Sequence, residues 1–191
     1  KICHYLDIPI QHASDHVLLK MGRHTNQKEL KQRIKKLREE IPDIVLRTTL
    51  ITGFPGETQE DFDELLLFVK EMRFDRLGVF TYSREEDTKA AEYDEQIPEE
   101  DKEKRRDEVM RLQQTIAFEQ NEAMIGKIFD VMMEGSLPEE GVYIARTYMD
   151  APEVDGFVFI ESDWNLMSGD FVKVQISEAR GYDLLGTIIN E

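Results

Sequence analysis

The stretch Arg47–Thr58, RTTLITGFPGET, decides the fold of this chain. Its first half alternates apolar and β-branched residues, which favours a strand, and the GFPG turn then ends that strand. Thr58 is a favourable helix N-cap, with Asp61 in the capping-box position three residues later. The stretch therefore predicts a strand, a glycine turn and a helix start. Such a start is either an ordinary βα loop or a site where free N–H groups meet an anionic ligand.

The apolar pattern on both sides of this stretch predicts alternating strands and helices. Strand, helix and strand at this spacing indicate parallel βα units with right-handed crossovers, so the fold class is α/β. Three strands are too few to close a barrel of the TIM type, and we expect a partial barrel. The predicted elements are a buried strand at Tyr5–Ile10, a helix capped by Ser14, a helix over 27–41, the central strand, a helix over about 59–73 and a strand at Phe74–Tyr82.

The second half of the chain has a different pattern. Residues 83–96 are polar and predict a loop, and residues 98–125 predict a long helix whose charged first half, 99–106, we interpret as a solvated face. From Gly126 onward, short apolar runs are separated by Gly and Pro, which is typical of a small antiparallel barrel of five strands. We therefore predict two domains, 1–123 and 124–191.

The charge of the chain limits its partners. Lys and Arg number 24 against 40 Asp and Glu, giving a net charge of −16 over 191 residues. From Met124 onward there are 13 acidic and 4 basic residues, a net charge of −9. Such a surface repels the phosphates of nucleic acid and favours a basic protein. We expect no nucleic-acid partner.

The cellular setting is also constrained. Cys3 is the one cysteine, so no internal disulfide is possible and secretion has no support. No apolar run approaches the roughly 20 residues that span a bilayer, so we predict a cytoplasmic protein without membrane contact. The chain begins inside what looks like a strand, and we expect it to be a piece of a longer protein.

Four segments, in this order, resemble the methylthiotransferase family of radical S-adenosylmethionine (SAM) enzymes. They are IPIQHAS at Ile8–Ser14, LITGFPGET at Leu50–Thr58, YSREEDTKAA at Tyr82–Ala91 and the terminal barrel, which resembles an OB-like TRAM domain. Within the family, RTYMDAPEVDG at Arg146–Gly156 resembles the type that acts on an aspartate of a ribosomal protein. The resemblance implies the second half of a radical SAM barrel followed by a TRAM domain.

The resemblance also implies a chemistry and its cofactors. A methylthio group is added to the β-carbon of an aspartate in a basic small-subunit ribosomal protein, which the acidic TRAM domain would bind. SAM and two [4Fe–4S] clusters take part. The family's cluster cysteines lie upstream of the segments found here, and Cys3 has no such spacing. We therefore expect the clusters to be held in the intact protein by cysteines outside this chain, and the chain to be inactive alone.

Eight residues are the cofactor contacts that the resemblance and the strand ends predict. The glycine turn resembles the family's cofactor-facing loop, where the preceding isoleucine would meet the adenine and the glutamate or nearby N–H groups would meet polar atoms. Two residues after the first strand either line the pocket or are hydrogen-bonded strand-end residues. Arg47 either bonds the cofactor carboxylate or pairs with a neighbouring acid. The set is Gln11, His12, Arg47, Ile51, Gly53, Pro55, Gly56 and Glu57.

We predict no metal site within the chain itself. His12 and His16 are four residues apart, as two zinc ligands on one helix face would be, but a strand end and a turn intervene and no second cysteine exists. Trp164 is either a core aromatic or an exposed anchor for a protein partner, and we favour the core.

Two other functions stay open at this point. One is a tRNA methylthiotransferase, which the negative charge disfavours. The other is a non-catalytic adaptor, in which the half-barrel and the acidic β-barrel only hold a basic protein. A CxxxCxxC stretch upstream would favour an enzyme over the adaptor.

Overall fold

The computed structural model describes residues 2–137, 139 and 141–189. The chain divides into two compact units. One is His4–Ile116, and the other comprises Ala117 onward with residues 2 and 3. The division falls inside one helix, Glu99–Glu122. The domain boundary between residues 123 and 124 stays a prediction.

The first unit is a three-stranded parallel sheet with helices, in the strand order β1-β2-β3. Consecutive strands are joined through helices, so the predicted βα units are confirmed. A short 3₁₀ turn at Lys89–Glu92 follows the last strand of this sheet. The elements are β1 (Tyr5–Asp7), α1 (Asp15–Lys20), α2 (Gln27–Glu40), β2 (Val45–Thr52), α3 (Gln59–Met72), β3 (Arg76–Thr81) and α4 (Glu99–Glu122).

The side chains of β2 alternate between the two faces of this sheet. Because side chains alternate along a strand, Leu46 and Leu50 are buried on one face, with Thr48 between them and Thr52 after them. This face joins the main core, which includes Phe62, Leu65, Phe68 and Phe74. Arg47, Thr49 and Ile51 point to the other, half-exposed face. Ile51 on that face lies near the carboxyl end of β2. Parallel α/β folds have their ligand-binding and active sites at this end of the strands.

The side-chain hydrogen bonds expected at the N-caps are present in α2 and α3 but not in α1. Thr58 and Asp61 form the predicted capping box, with each side chain accepting from the other's backbone N–H. Asn26 likewise caps α2 by accepting from the N–H of Glu29. Ser14 precedes α1, but its side chain makes no cap hydrogen bond. It donates instead to Asp61 Oδ1, so a long-range partner displaces the local cap.

The first strand is shorter and more exposed than predicted. β1 ends at Asp7, and Leu6 and Asp7 are exposed, because β1 lies at the edge of the sheet. The prediction of a buried strand over Tyr5–Ile10 is therefore wrong in its length and its burial. The chain returns to the sheet at Gln11, which forms an isolated parallel bridge to Leu50.

The second unit contains a closed five-stranded barrel in the order β4-β5-β6-β8-β7. Four of the neighbouring pairs are antiparallel, and β6 pairs with β8 in parallel. The expected barrel is confirmed, but it is mixed rather than wholly antiparallel. Its strands are β4 (Ile128–Leu137), β5 (Val142–Arg146), β6 (Val158–Glu161), β7 (Phe171–Arg180) and β8 (Asp183–Ile188).

The barrel interior is filled by apolar side chains from all five strands. Strict alternation in β4 and β7 turns Val131 and Met133, and Val174 and Ile176, into the core. Ala145, Val158, Ile160 and Leu184 complete the buried set. A Cβ at Gly186 would collide with the Val174 side chain and approach the Gln175 main-chain oxygen, so β8 needs glycine there for close packing.

Candidate functional site

A cleft of about 490 Å³ lies at the carboxyl ends of β1 and β2. Its walls come from the end of α1, from the strand ends, from the glycine turn and from the 3₁₀ segment after β3. The cleft is open to solvent. Its lining comprises Gln11, Leu19, Lys20, Met21, Gly22, Arg23, Ile51, Phe54, Lys89, Ala90 and Tyr93.

Two of the eight predicted contacts, Gln11 and Ile51, meet in this cleft. The N–H of Gln11 donates to Thr49 O at 2.9 Å, and the N–H of Ile51 donates to Gln11 O at 2.8 Å. Gln11 holds a φ of +70°, which is unusual for a residue with a side chain. Such a backbone position persists only where the surroundings fix it, and here the two bonds to β2 do so.

Arg47 does not line the cleft. It is on the same face of β2 as Ile51 but four residues earlier, which is about 13 Å along a strand. Its Nε donates to the hydroxyl of Tyr5 at 2.6 Å. The structure therefore places Arg47 toward the amino end of the sheet, away from the residues that the cleft brings together.

Aromatic rings form one wall of the cleft, and the sequence reasoning missed them. Phe54 packs edge-on against Tyr82, with ring centroids 5.2 Å apart, and against Tyr93 at 6.3 Å. Val17 completes this small buried cluster, and Ile51 packs against it. The available signal was Phe54 itself, because a large apolar residue inside a glycine turn needs a partner surface. Flat apolar walls of this kind suit a planar ring of a ligand.

The N–H groups of the glycine turn are not free. Gly53 and Phe54 donate to Glu57 Oε2 at 2.7 and 3.2 Å, and Gly56 donates to Glu95 O at 2.8 Å. Glu57 N–H donates to Phe54 O, and Thr58 N–H donates to the Asp61 carboxylate. Of the two alternatives for this turn, these contacts favour the ordinary βα loop, because the N–H groups of Gly53, Phe54 and Gly56 already have acceptors within the protein.

Glu57 is the centre of this turn, and its side chain is 0% exposed. Oε2 accepts the two turn N–H groups, and Oε1 accepts from Arg105 Nη1 at 2.9 Å. Arg105 Nη1 also donates to Glu57 O at 3.0 Å. Glu57, Gly53, Pro55 and Gly56 do not line the cleft. They hold Phe54 in its place, and a buried carboxylate stabilises the turn only because it is paired and fully hydrogen-bonded.

His12 is buried behind the cleft rather than in its wall. Its Nδ1 accepts the N–H of Ser14 at 3.0 Å. Its Nε2 lies 3.6 Å from Glu57 Oε2, and within the described chain Nε2 has no hydrogen-bond partner. Because Nδ1 acts as the acceptor, the proton of a neutral ring lies on Nε2 and faces the Glu57 carboxylate.

Asp61 joins α1 to the start of α3. It accepts from Ser14 Oγ, from the Thr58 N–H and hydroxyl, and contacts His16 Nδ1 at 2.9 Å. Burial raises the pKa of Asp61, but the hydrogen bonds from Ser14, Thr58 and His16 outweigh it and lower the pKa to about 2. His16 therefore pairs with Asp61 and not with His12. Among the residues that the structure describes, no three His, Cys, Asp or Glu side chains are grouped as a metal site.

The segment after the 3₁₀ turn, which includes Tyr93 and Glu95, contacts Lys20 at the end of α1. The Lys20 ammonium pairs with the Glu95 carboxylate and lies 5.9 Å from the centre of the Tyr93 ring. The Tyr93 hydroxyl donates to Lys20 O at 3.2 Å. The hydrogen bond from Lys20 lowers the pKa of Glu95. A Cβ at Gly56 would meet only the flexible ends of Lys20 and Glu95, so glycine is favoured there chiefly by the φ of +81°.

Helix α4 contributes to the site although its charged start was interpreted as a solvated face. Lys102 is buried, donating from Nζ to Tyr82 O at 3.0 Å and packing over the Tyr82 ring at 5.4 Å. Arg105 reaches Glu57 as described. The interpretation of residues 99–106 is therefore wrong for these two positions. They are three apart and share one helix face, which is the signal that could have found them.

Trp164 was expected in the barrel core, and that expectation is also wrong. Its side chain is 48% exposed, and it lies in the segment between β6 and β7.

No helix among the described residues is long and apolar enough to cross a bilayer.

Comparison with known proteins defines the class to which this fold and cleft belong. Residues 1–69 match the Radical SAM superfamily model, and residues 125–189 match the TRAM domain model. The parallel βα sheet and the closed barrel therefore belong to a radical SAM protein with a TRAM domain.

The most informative relatives are each named ribosomal protein uS12 methylthiotransferase RimO. The chain is 60% identical over 187 residues to the one from Lachnoclostridium phytofermentans, covering 98% of this chain and 42% of the relative. It is 53% identical to the one from Pelotomaculum thermopropionicum (99% and 43%) and 50% identical to the one from Desulfitobacterium hafniense (99% and 42%). Over nearly its whole length the chain is thus similar to radical SAM methylthiotransferases of the RimO type, and it spans less than half the length of these curated relatives.

Proposed function

We propose that this chain is part of a methylthiotransferase that adds a methylthio group to the β-carbon of an aspartate in ribosomal protein uS12 by radical SAM chemistry. The observation that carries the proposal is the 60% identity to a RimO relative over 98% of this chain. Identity at this level extends across both the α/β unit and the barrel. A fold by itself does not imply a function, but similarity over both units together supports a function shared with this relative.

The cleft fits one of the implied cofactors. Its volume of about 490 Å³ is within the range of small-ligand pockets. Ile51 and Phe54 offer apolar contact to a ring, and the Gln11 side-chain amide and the backbone at Gly22 are polar. We infer that SAM binds here, with Ile51 against the adenine and Phe54 closing the wall. When bound, SAM would supply the radical-forming chemistry of the family, and these residues would orient it in the cleft.

The two [4Fe–4S] clusters do not fit the described residues. Cys3 is exposed and is the one cysteine of the chain, and no His, Cys, Asp or Glu grouping offers a ligand set among the described residues. We propose that the intact protein holds both clusters through cysteines outside this chain, and that the chain alone is inactive.

The partner is the finer part of the proposal. The sequence from Met124 onward has a net charge of −9. A basic ribosomal protein is attracted to such a surface, whereas the phosphates of tRNA are repelled. We therefore propose that the TRAM domain binds the basic client protein and not nucleic acid.

The test is mass spectrometry of uS12 after reaction. The intact protein is reconstituted with iron and sulfide and incubated with SAM, a reductant and purified uS12, and the expected product carries one methylthio group on an aspartate. A parallel reaction with tRNA distinguishes the tRNA-modifying alternative. Modified tRNA with unmodified uS12 would contradict the proposal, and uS12 binding without any modification would favour the adaptor.

The cofactor site has its own test in the same protein. Ile51→Ala removes an apolar wall of the cleft and is expected to weaken SAM binding, measured by calorimetry, by about tenfold. Leu67→Ala is the matched control, because Leu67 is an exposed aliphatic residue of α3 outside the cleft. Equal SAM affinity in both variants would contradict the proposal that SAM binds in this cleft.

A further inference from the structure

The barrel carries an apolar outer surface that its core does not use. In β4 and β7, Met133 and Val174 point inward, so Met132 and Phe171 point outward. The strand register makes Phe171 and Met132 direct cross-strand partners, which puts their side chains in contact range. The Phe171 side chain is nonetheless 70% exposed.

The segment between β6 and β7 is hydrogen-bonded to Met133 of β4 through Gly169 and Asp170, immediately before Phe171, and it carries further exposed apolar side chains. It presents Trp164, 48% exposed, and Met167, 69% exposed, and then leads into Phe171. Large exposed apolar side chains that follow one another in this way mark interaction sites more often than isolated ones do. We call Met132, Trp164, Met167 and Phe171 the Trp164–Phe171 surface.

The backbone under this surface is fixed. The Tyr143 hydroxyl in β5 donates to Trp164 O at 2.6 Å and accepts from the N–H of Leu166 at 3.4 Å. Met133 in β4 donates its N–H to Asp170 O at 2.9 Å and accepts the N–H of Gly169 at 2.8 Å. The segment is thus tied to two strands, and the exposure of its apolar side chains is not the result of a loose loop. A preformed apolar surface lowers the entropic cost of binding.

The charges around the surface select the kind of partner. Residues 161–171 contain Glu161, Asp163 and Asp170 and no Lys, Arg or His. Two cations lie on the neighbouring strands, and each has an acidic partner: Lys173 is opposite Asp130, and Arg146, the cross-strand partner of Met132, pairs with Glu134. A phosphate backbone would find no cation in residues 161–171, whereas a lysine or arginine finds both carboxylates and aromatic faces.

We propose that the Trp164–Phe171 surface docks a segment of the client protein that is rich in Lys and Arg and carries apolar side chains. This rests on the proposed function, since the client is the basic ribosomal protein named there. Trp164 and Phe171 are the anchors, because exposed aromatic residues carry most of the energy of such interfaces. The three carboxylates steer the approach of the basic segment.

The test measures binding of purified uS12 to the intact protein by calorimetry at physiological salt. Trp164→Ser and Phe171→Ser are each expected to weaken binding at least tenfold, and the double variant more. Val154→Ser is the matched control, because Val154 is 70% exposed on the same unit but lies between β5 and β6. The control is expected to bind within twofold of the unchanged protein. Melting curves of all variants verify that the barrel folds.

A charge variant tests the second part of the proposal. Asp163→Asn is expected to slow association about two- to threefold at low salt, with the difference disappearing at high salt. Unchanged uS12 affinity in the Trp164→Ser/Phe171→Ser double variant would overturn the docking surface. So would tRNA binding that is lost in the double variant, because it would make the surface a nucleic-acid site.

The two failures can be told apart. If the unchanged protein methylthiolates uS12 and the double variant does so with the same KM, the surface is wrong and the proposed function stands. If the unchanged protein binds uS12 through this surface without modifying it, the surface stands and the proposed function fails. A raised KM with an unchanged kcat in the double variant supports docking, since the substitutions lie outside the cleft.

Discussion

Arg105 binds Glu57 twice through one nitrogen, donating from Nη1 to the main-chain oxygen at 3.0 Å and to Oε1 at 2.9 Å. The other carboxylate oxygen of Glu57 holds the N–H groups of Gly53 and Phe54. A helix that begins 42 residues after Glu57 in the sequence, at Glu99, thereby fixes the turn that carries Phe54 into the cleft. The contact links the charged start of α4 to the proposed cofactor site.

Arg105→Ala is expected to lower the free energy of unfolding by about 3 kcal/mol, because it leaves the buried Glu57 carboxylate without its cation. Chemical denaturation followed by circular dichroism measures the loss. Arg106→Ala is the control: Arg106 pairs with its exposed neighbour Asp107 and is expected to cost less than about 1 kcal/mol. Similar values for the two variants would show that the Arg105 contact contributes little.

Gly53→Ala is expected to destabilise the protein more than Gly22→Ala, although both glycines have a φ of +72°. A Cβ at Gly22 meets nothing within 4 Å, so its cost is the backbone term of about 1–2 kcal/mol. A Cβ at Gly53 also collides with the buried Lys102 side chain. Urea unfolding of the two variants isolates this collision, and equal losses would contradict it.

The Asp61 carboxylate is expected to stabilise the fold at neutral pH and to lose that effect in acid. Its pKa is lowered from 3.8 to about 2 on folding, so the stabilisation is complete above about pH 4 and disappears as the pH falls toward 2. The shift corresponds to about 2 kcal/mol. The difference in unfolding free energy between the unchanged protein and Asp61→Asn, measured from about pH 5 to about pH 2, should shrink accordingly. A difference that is independent of pH would contradict the assignment.

Tyr143→Phe is expected to loosen the segment between β6 and β7 without opening the barrel. It removes the hydroxyl that joins Trp164 O to the N–H of Leu166, at a cost of about 1 kcal/mol. Hydrogen exchange at the Leu166 amide should accelerate, while the amides of β4 and β7 keep their protection. Tyr182→Phe is a matched control on the same unit, since Tyr182 is also half exposed. Unchanged exchange at Leu166 would show that Tyr143 does not hold the segment.

Local patterns in the sequence predict the frame of this fold. The strand, glycine turn and capping box around Thr58 are local features, and the structure has all of them. The short apolar runs after Gly126 likewise predict the barrel strands. Gln11 and Ile51 line one cleft because the carboxyl ends of neighbouring parallel strands lie at the same edge of the sheet, and their contact with a cofactor stays a prediction.

Long-range contacts explain what the sequence does not predict. Ser14 has the residue type of a helix cap, but Asp61 lies close enough to take its hydroxyl. Lys102 and Arg105 belong to a charged run, and only the packing of α4 on the turn buries them. Trp164 is half exposed, and its main-chain oxygen accepts from the hydroxyl of Tyr143, 21 residues earlier in the chain. The partner that decides each of these positions is distant along the chain.

The parallel pairing of β6 with β8 has a consequence for biosynthesis. β8 lies between β6 and β7, so it closes the ring, and among the five barrel strands it comes last in the sequence. Until residues 183–188 emerge from the ribosome, the edges of β6 and β7 remain unpaired and open to adhesion with other chains. Premature termination before this strand would thus release an aggregation-prone product rather than a slightly shortened domain.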